Sequence, residues 1–374
     1  MAGLAGASVF AFGKPADAAP QPKPLITKLA HGARGNFSAA TRQALNIAAG
    51  SQLIQRSYSD LYYLGRSITD YKLRKNVLGL LDSPVPAYAV RLRAAAERES
   101  LRQELLMAGF IDKAEGIDAF LPSSTDDFSK AFQPFFSSAG SAQDSHHAYP
   151  GGLVLHELFN ARAAIALADN YDREYFGGVR TISRDVVLAA ALYHDVMKTV
   201  VFQWGDDGKL SFEPNIAGTG AHHILSAAEA IARGHDARFV TVVLSAHAAP
   251  SLGDEVKVVA WARAAAMVAG VDPADYGLLK RKGDGFELAS LPPIEAFISN
   301  LSDHDYVLSV HAMHEVAPRA DALIASGKVS QAQRLWYRNA LLSNISAIRL
   351  YQTLTNDERS FRTQVERELS RVSL

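Results

Sequence analysis

The residue pattern predicts an all-α protein, and three observations carry that prediction. Apolar residues recur at spacing four, as in Leu155, Phe159, Ala163 and Leu167, which sets them on one face of a helix. Residues 38–109 are rich in Ala, Leu, Arg and Gln, residues that lose little freedom in a helix. The strand-like signal is short: residues 201–210, with Trp204 and a turn at Asp206-Asp207-Gly208, read as a small hairpin.

Taken in order, residues 1–25 stand apart from the fold. Gly3 to Phe12 is a short apolar run, and Ala16-Asp17-Ala18-Ala19-Pro20 fits a small-x-small cleavage site. An export signal with a shortened front end and an unstructured tail both suit a run that no positive charge precedes. The protein is periplasmic or otherwise exported in the first case, cytoplasmic in the second. Residues 26–120 form an N-terminal helical region, with one window through Leu61, Leu64, Ile68 and Tyr71 and another from Ala87 to Leu106. Residues 121–150, punctuated by Pro122, Pro134, Gly140 and Pro150, read as a loop-rich connector long enough to carry function.

The most regular helices fall within 151–275. A stripe begins after Gly151-Gly152, an almost wholly apolar run covers Asp185 to Lys198, and Ala221 to Arg233 stops at Gly234. Val240, Val243, Leu244 and His247 share the next face, which Pro250 closes, and Val256 to Ala269 follows. Residues 276–374 form a C-terminal helical region, with helices over Gln331 to Leu354 and Asp357 to Val372.

Composition narrows the function. Of 374 residues, 48 % are apolar and 21 % charged, with a net charge of −1, the profile of a globular protein. Without a dense Lys/Arg run there is no general electrostatic footprint for nucleic acid. No apolar stretch is long enough to span a membrane. The absence of cysteine excludes disulfides, thiolate zinc sites and Cys nucleophiles.

What remains distinctive is an ordered set of metal-ligand residue types: His156, His194-Asp195, His222 with His223 beside it, and His247. Each occupies a successive helical segment, a spacing that suits one ligand per helix gathered at a bundle centre. Any one of these histidines alone reads as a core residue. The set is harder to dismiss, because Asp195 lies in an apolar run and a buried carboxylate needs a metal, a cation or a hydrogen-bond network. Lys198 shares the helical face of His194 and Asp195. Imidazoles and a carboxylate hold divalent ions, and a Lys beside them suits an anionic phosphate oxygen.

These residues resemble the HD-domain superfamily of metal-dependent phosphohydrolases over about residues 145–270. His194-Asp195-Val196-Met197-Lys198 is similar to the family's His-Asp-x-x-Lys form, and His222-His223-Ile224-Leu225-Ser226-Ala227-Ala228-Glu229 to its third motif. His146-His147-Ala148-Tyr149-Pro150-Gly151-Gly152, leading to His156, resembles the lead-in of members that include an exoribonuclease. The resemblance implies an HD-domain helical bundle with additional N- and C-terminal helices. It implies His156, His194, Asp195, His222 and His247 as ligands of one or two divalent ions (Mn, Fe, Zn or Mg), with His223 the alternative to His222. Asp195 is then the catalytic bridge, and Lys198 contacts the phosphate.

Two departures bear on the ligand count. The alignment puts Ala266 where members carry a closing Asp, with Asp272 and Asp275 nearby as substitutes, and His247 is followed by Ala248. A second cluster, Asp303-His304-Asp305 with His311 and His314, reads as a polar helix face or as a source of one residue completing the site. Trp204, Tyr149 and Trp261 are candidate pocket aromatics. The expectation is a phosphohydrolase acting on a phosphomonoester, phosphodiester or nucleotide through metal-activated water; the alternative, motivated by Ala266, is a catalytically weak ligand-binding or signalling module. The oligomeric state is not legible.

Overall fold

The computed structural model describes residues 37–113, 132–327, 329–372 and 374; the proposed signal segment and the first part of the connector, residues 121–131, lie outside them. The described chain is predominantly helical, as expected. The N-terminal region supplies α1 (Ala39–Gly50), α2 (Gln52–Ser67), α3 (Tyr71–Asp82) and α4 (Ala95–Met107). The apolar window through Leu61 and Tyr71 spans two helices rather than one. Ile68 is extended at the end of α2, and the Asp70 side chain caps α3 by accepting the Leu73 N–H at 2.8 Å. Likewise Tyr88–Leu92 forms a 3₁₀ turn before α4 starts.

The central part contains α5 (Gly152–Tyr175), α6 (Arg184–Tyr193), the single turn α7 (Lys198–Val201), α8 (Ala221–Ala232), α9 (Ala237–Leu244) and α10 (Glu255–Ala269). Two short hairpins interrupt them, β1 (Asn215–Ile216) with β2 (Thr219–Gly220) and β3 (Leu279–Lys282) with β4 (Gly285–Leu288), both antiparallel. The expected hairpin over 201–210 is reduced to a single bridge between Trp204 and Leu210. The C-terminal region adds α11 (Ile294–Ser302), α12 (Tyr306–Ser326), α13 (Arg334–Ile345), α14 (Ala347–Asn356) and α15 (Glu358–Leu369). Gln331 to Leu354 is therefore broken at Ser346, which adopts a positive φ of 61° between α13 and α14.

One apolar core runs from Ala48 in α1 to Ile298 in α11, so the N-terminal helices and the central helices bury a shared interior. A second cluster joins α12 to α15 and reaches Ala148 and Tyr149. The connector is not a surface linker where it is described: Phe132, Phe135 and Phe136 are buried in the main core. It then turns back over the first turn of α5. Gly140 donates its N–H to the His147 carbonyl at 2.9 Å, and Leu153 donates to Ser138 at 3.1 Å. Gly152 is required there, since a Cβ would stand 1.9 Å from the His147 carbonyl oxygen.

Candidate metal centre

The site lies where several helices end. His156 projects from the second turn of α5, and His194 caps the C-terminus of α6. Asp195 follows in the turn that leads to Lys198 at the start of α7. His222 and His223 sit in the first turn of α8. His247 lies just beyond α9, whose last helical residue is Leu244. Helix termini suit this task, because short side chains there point along several axes toward one centre. All seven residues named from the sequence, Lys198 included, line or border the same pocket.

Their ligand atoms fall into two groups sharing Asp195. On one side are His156, His194, Asp195 and Asp303; on the other are Asp195, His222, His223 and His247. Asp195 Oδ2 is 2.9 Å from His156 Nε2 and 3.3 Å from His194 Nε2, while Oδ1 is 3.1 Å from His222 Nε2 and 3.3 Å from His247 Nε2. Donor atoms each about 2.1 Å from a common ion are about 3.0 Å apart in an octahedron and about 3.4 Å in a tetrahedron. The observed spacings are compatible with ligands around a cation. Both Asp195 oxygens, His222 Nε2 and His156 Nδ1 are buried without a directed hydrogen bond, a cost that is sustained only where something else satisfies them. The residues present thus fit a divalent ion, one on each side of Asp195.

The electrostatics say the same. Burial alone would push the Asp195 and Asp303 carboxyls up, but His194 leads the cationic groups that hold both well below the usual carboxylate range. Burial would lower His156 and His194; instead the surrounding carboxylates raise His156 to about 9 and His194 well above its usual value. In this field protons stand in for a metal. Burial pushes the His223 and His247 imidazoles down, against the neighbouring Asp195 and, for His247, Asp303, which favours their neutral form.

A further carboxylate joins the cluster from the second sequence group. At the C-terminal cap of α11, Asp303 Oδ1 stands 3.2 Å from both His156 and His194 Nε2 and accepts from Asn160 Nδ2 at 2.8 Å. Its Oδ2 is 3.4 Å from His247 Nε2. Ala266 is packed in the core, and Asp272 is an exposed turn residue accepting the N–H groups of Ala274 and Asp275, itself exposed. The second sequence cluster divides accordingly. Asp303 enters the site, and Asp305 holds His147 Nε2 at 2.8 Å, whose Nδ1 meets the Tyr149 hydroxyl at 2.9 Å. His304 lies at the pocket mouth, while His311 and His314 are on an exposed face of α12, with His311 against Tyr351 at 3.1 Å.

Two supporting residues had no signature of their own. Glu213, ahead of β1, bonds His222 Nδ1 and accepts the His222 N–H at 3.0 Å, aiming Nε2 inward. His223 Nδ1 contacts Thr219 Oγ1 at 2.5 Å, and its ring stacks on His247 with centroids 3.4 Å apart. Lys198 is buried, paired with Asp195 and donating to the Gly140 carbonyl at 2.5 Å. Of the candidate aromatics, Trp261 borders the site, 5.8 Å from the His223 ring. Trp204 packs on Trp336 and donates to Ser137, a structural contact.

A buried His/Asp cluster of this form could hold a metal ion. Comparison with known proteins adds a distant similarity. Over 102 residues the chain is 32 % identical to dihydroneopterin 2′,3′-cyclic phosphate phosphodiesterase of Methanocaldococcus jannaschii. The matched stretch is 27 % of this chain and 39 % of that protein, so the chain spans about two fifths of the relative's length. No family model matches the chain, and no solved structure matches it. The distant similarity and the cluster together fit a metal-dependent phosphohydrolase.

Proposed function

We propose that this protein is a phosphohydrolase of the HD superfamily, cleaving a small phosphoester at the Asp195-centred site. The observation that carries it is one buried carboxylate shared between two ligand groups, with a lysine against it. His156, His194, Asp195 and Asp303 would hold one ion, and Asp195, His222, His223 and His247 a second. Mixed imidazole and carboxylate donors without sulfur suit Mn, Fe or Zn better than Mg, which prefers oxygen alone. A bound divalent ion lowers the pKa of water and draws charge from a phosphoryl oxygen.

The chain's own groups do the rest. Lys198 supplies positive charge for the anionic phosphoryl oxygens, already oriented by the Gly140 carbonyl. Glu213 fixes the tautomer of His222, and Asn160 steadies Asp303. The 2′,3′-cyclic phosphate in the relative's name makes a cyclic phosphodiester a first substrate to assay. The Asp303 carboxylate, placed against His156 and His194, supports the catalytic reading over the weak-domain alternative that Ala266 motivates.

The test is metal content by mass spectrometry after reconstitution, together with hydrolysis of a nucleoside 2′,3′-cyclic phosphate and of simple phosphomonoesters. Between one and two ions per chain and activity abolished by Asp195→Ala are expected. No bound metal, or activity unchanged in Asp195→Ala, would overturn the reading.

A further inference from the structure

Away from the metal pocket, and sharing no lining residue with it, a groove of about 930 Å³ runs between α10 and the β3–β4 hairpin. Glu255, Val256, Val259, Ala260 and Arg263 form one wall, a single face of α10. All four residues of β4 line the other, whereas β3 contributes only Lys280 and Lys282. Successive strand residues point to opposite faces, so a cavity that meets all four lies along the edge of the strand. That edge is open. Ala289 donates to the Leu278 carbonyl at 3.1 Å, which makes Leu279–Leu288 and Arg281–Phe286 the cross-strand pairs that exchange no hydrogen bond. The N–H and C=O groups of Phe286 and Leu288 therefore point away from β3, and none has a hydrogen-bond partner among the described residues.

The groove also holds an unanswered charge. The Arg263 guanidinium lies between two rings, 5.4 Å from the Phe110 centroid and 5.8 Å from that of Phe286, with no carboxylate and no hydrogen-bond acceptor against it among the described residues. Contact with ring faces uses the charge but leaves the fork of N–H donors for a carboxylate. The neighbouring lysines are already matched: Lys280 and Lys282 pair with Glu287 at 3.2 and 2.6 Å. Glu255, at the start of α10, accepts the Gly253 N–H at 2.7 Å. Apolar side chains stand in solvent beside both walls. Leu252, just before α10, is fully exposed on a left-handed backbone (φ 58°) that a bulky side chain seldom adopts. Leu291, just after β4, is 93 % exposed. A small anion seated on Arg263 leaves both leucines in water, whereas a chain segment lying along the groove covers them.

We propose that this groove docks a partner protein, which lays an extended segment along β4 as a third strand, with an acidic side chain on Arg263 and apolar side chains against Leu252, Val256 and Leu291. Strand addition supplies the backbone hydrogen bonds that Phe286 and Leu288 lack, and the side-chain contacts set which segment binds. Charge complementarity selects the acid, because a basic residue at that position meets an unshielded guanidinium. The docking site goes beyond the phosphohydrolase reading and does not depend on the metal centre.

The full-length protein is panned against a phage library of random dodecapeptides, and the enriched peptides are measured by fluorescence anisotropy. Enriched sequences should carry an Asp or Glu among apolar residues in alternation, the pattern of one strand face. Arg263→Ala should weaken them about tenfold or more, as expected for loss of a hydrogen bond to a charged group. Leu291→Ser, which the fold tolerates because that side chain stands in solvent, should weaken them about fivefold. N-methylation along the peptide should abolish binding at alternate residues only, since alternate N–H groups of an added strand face β4. Enrichment of no sequence, binding that either variant retains at full strength, or N-methyl sensitivity without that alternation overturns the proposal. Self-association of the protein that Leu291→Ser dissolves would seat a second copy in the groove and overturns it too, as does an oligonucleotide bound through Arg263 in place of any peptide.

Discussion

Replacing Asp303 by Asn tests the residue that the sequence placed least well. Asn keeps the shape and removes the charge that lies 3.2 Å from both His156 and His194 Nε2. Loss of a hydrogen-bonded partner behind a ligand weakens metal binding by 10- to 100-fold, so loss of a carboxylate among the ligands should reach about 100-fold. A metal at about 1,000 times its dissociation constant stabilises the native state by about 4.1 kcal/mol. At the same concentration a 100-fold weaker site gives about 1.4 kcal/mol, so about 2.7 kcal/mol of metal-linked stability disappears. For a chain of this size that is a melting shift smaller by about 3 °C. The assay is thermal unfolding of metal-free wild type and Asp303→Asn across a manganese titration. The two curves should separate only as metal is added. If Asp303→Asn keeps the full metal-induced shift with the same midpoint, Asp303 is not a ligand and the two-group reading of the site fails.

Other consequences are independent of that one. Glu213→Gln leaves the His222 ring in place but withdraws the carboxylate from Nδ1; manganese affinity by calorimetry should fall by about 10- to 100-fold, and unchanged affinity would remove Glu213 from the metal's support. Gly152→Ala forces a methyl to within 1.9 Å of the His147 carbonyl oxygen, so the urea midpoint should show a loss of about 3 kcal/mol or more. Burial, followed by the neighbouring Lys72, pushes His235 down to about 4, where it meets Tyr193 and Asn76 as a neutral ring. A folded value below the unfolded 6.5 means its contribution is intact above pH 6.5 and is lost as pH falls toward 4. Wild type should therefore lose about 1–2 kcal/mol more than His235→Gln between pH 7.5 and pH 5 in chemical denaturation; parallel losses would show that His235 is already charged in the folded protein.

Local pattern and tertiary arrangement divide the information in a way these residues make concrete. The all-α class followed from spacing-four stripes such as Leu155 to Leu167, because helix periodicity is a property of adjacent residues. His194, Asp195 and Lys198 were visible because an ionic trio in an apolar run demands partners. What the chain order could not show is which distant carboxylate turns inward. Asp303 lies beyond the β3–β4 hairpin and α11, and its neighbours Asp305, His311 and His314 offer the same chemistry in sequence. Only the packing of α11 against α5 and α6, with Asp303 at the C-terminal cap of α11, sets that carboxylate between His156 and His194 and leaves His311 and His314 on an exposed face. Helix breaks divide likewise. The restart of the helix at the Asp70 cap and the positive φ of Ser346 mark breaks that apolar spacing alone would run through. By itself the sequence determined the helical class and an ordered series of ligand-type residues; the tertiary structure decided which of them meet, because convergence depends on where helices end and cross rather than on what each helix contains.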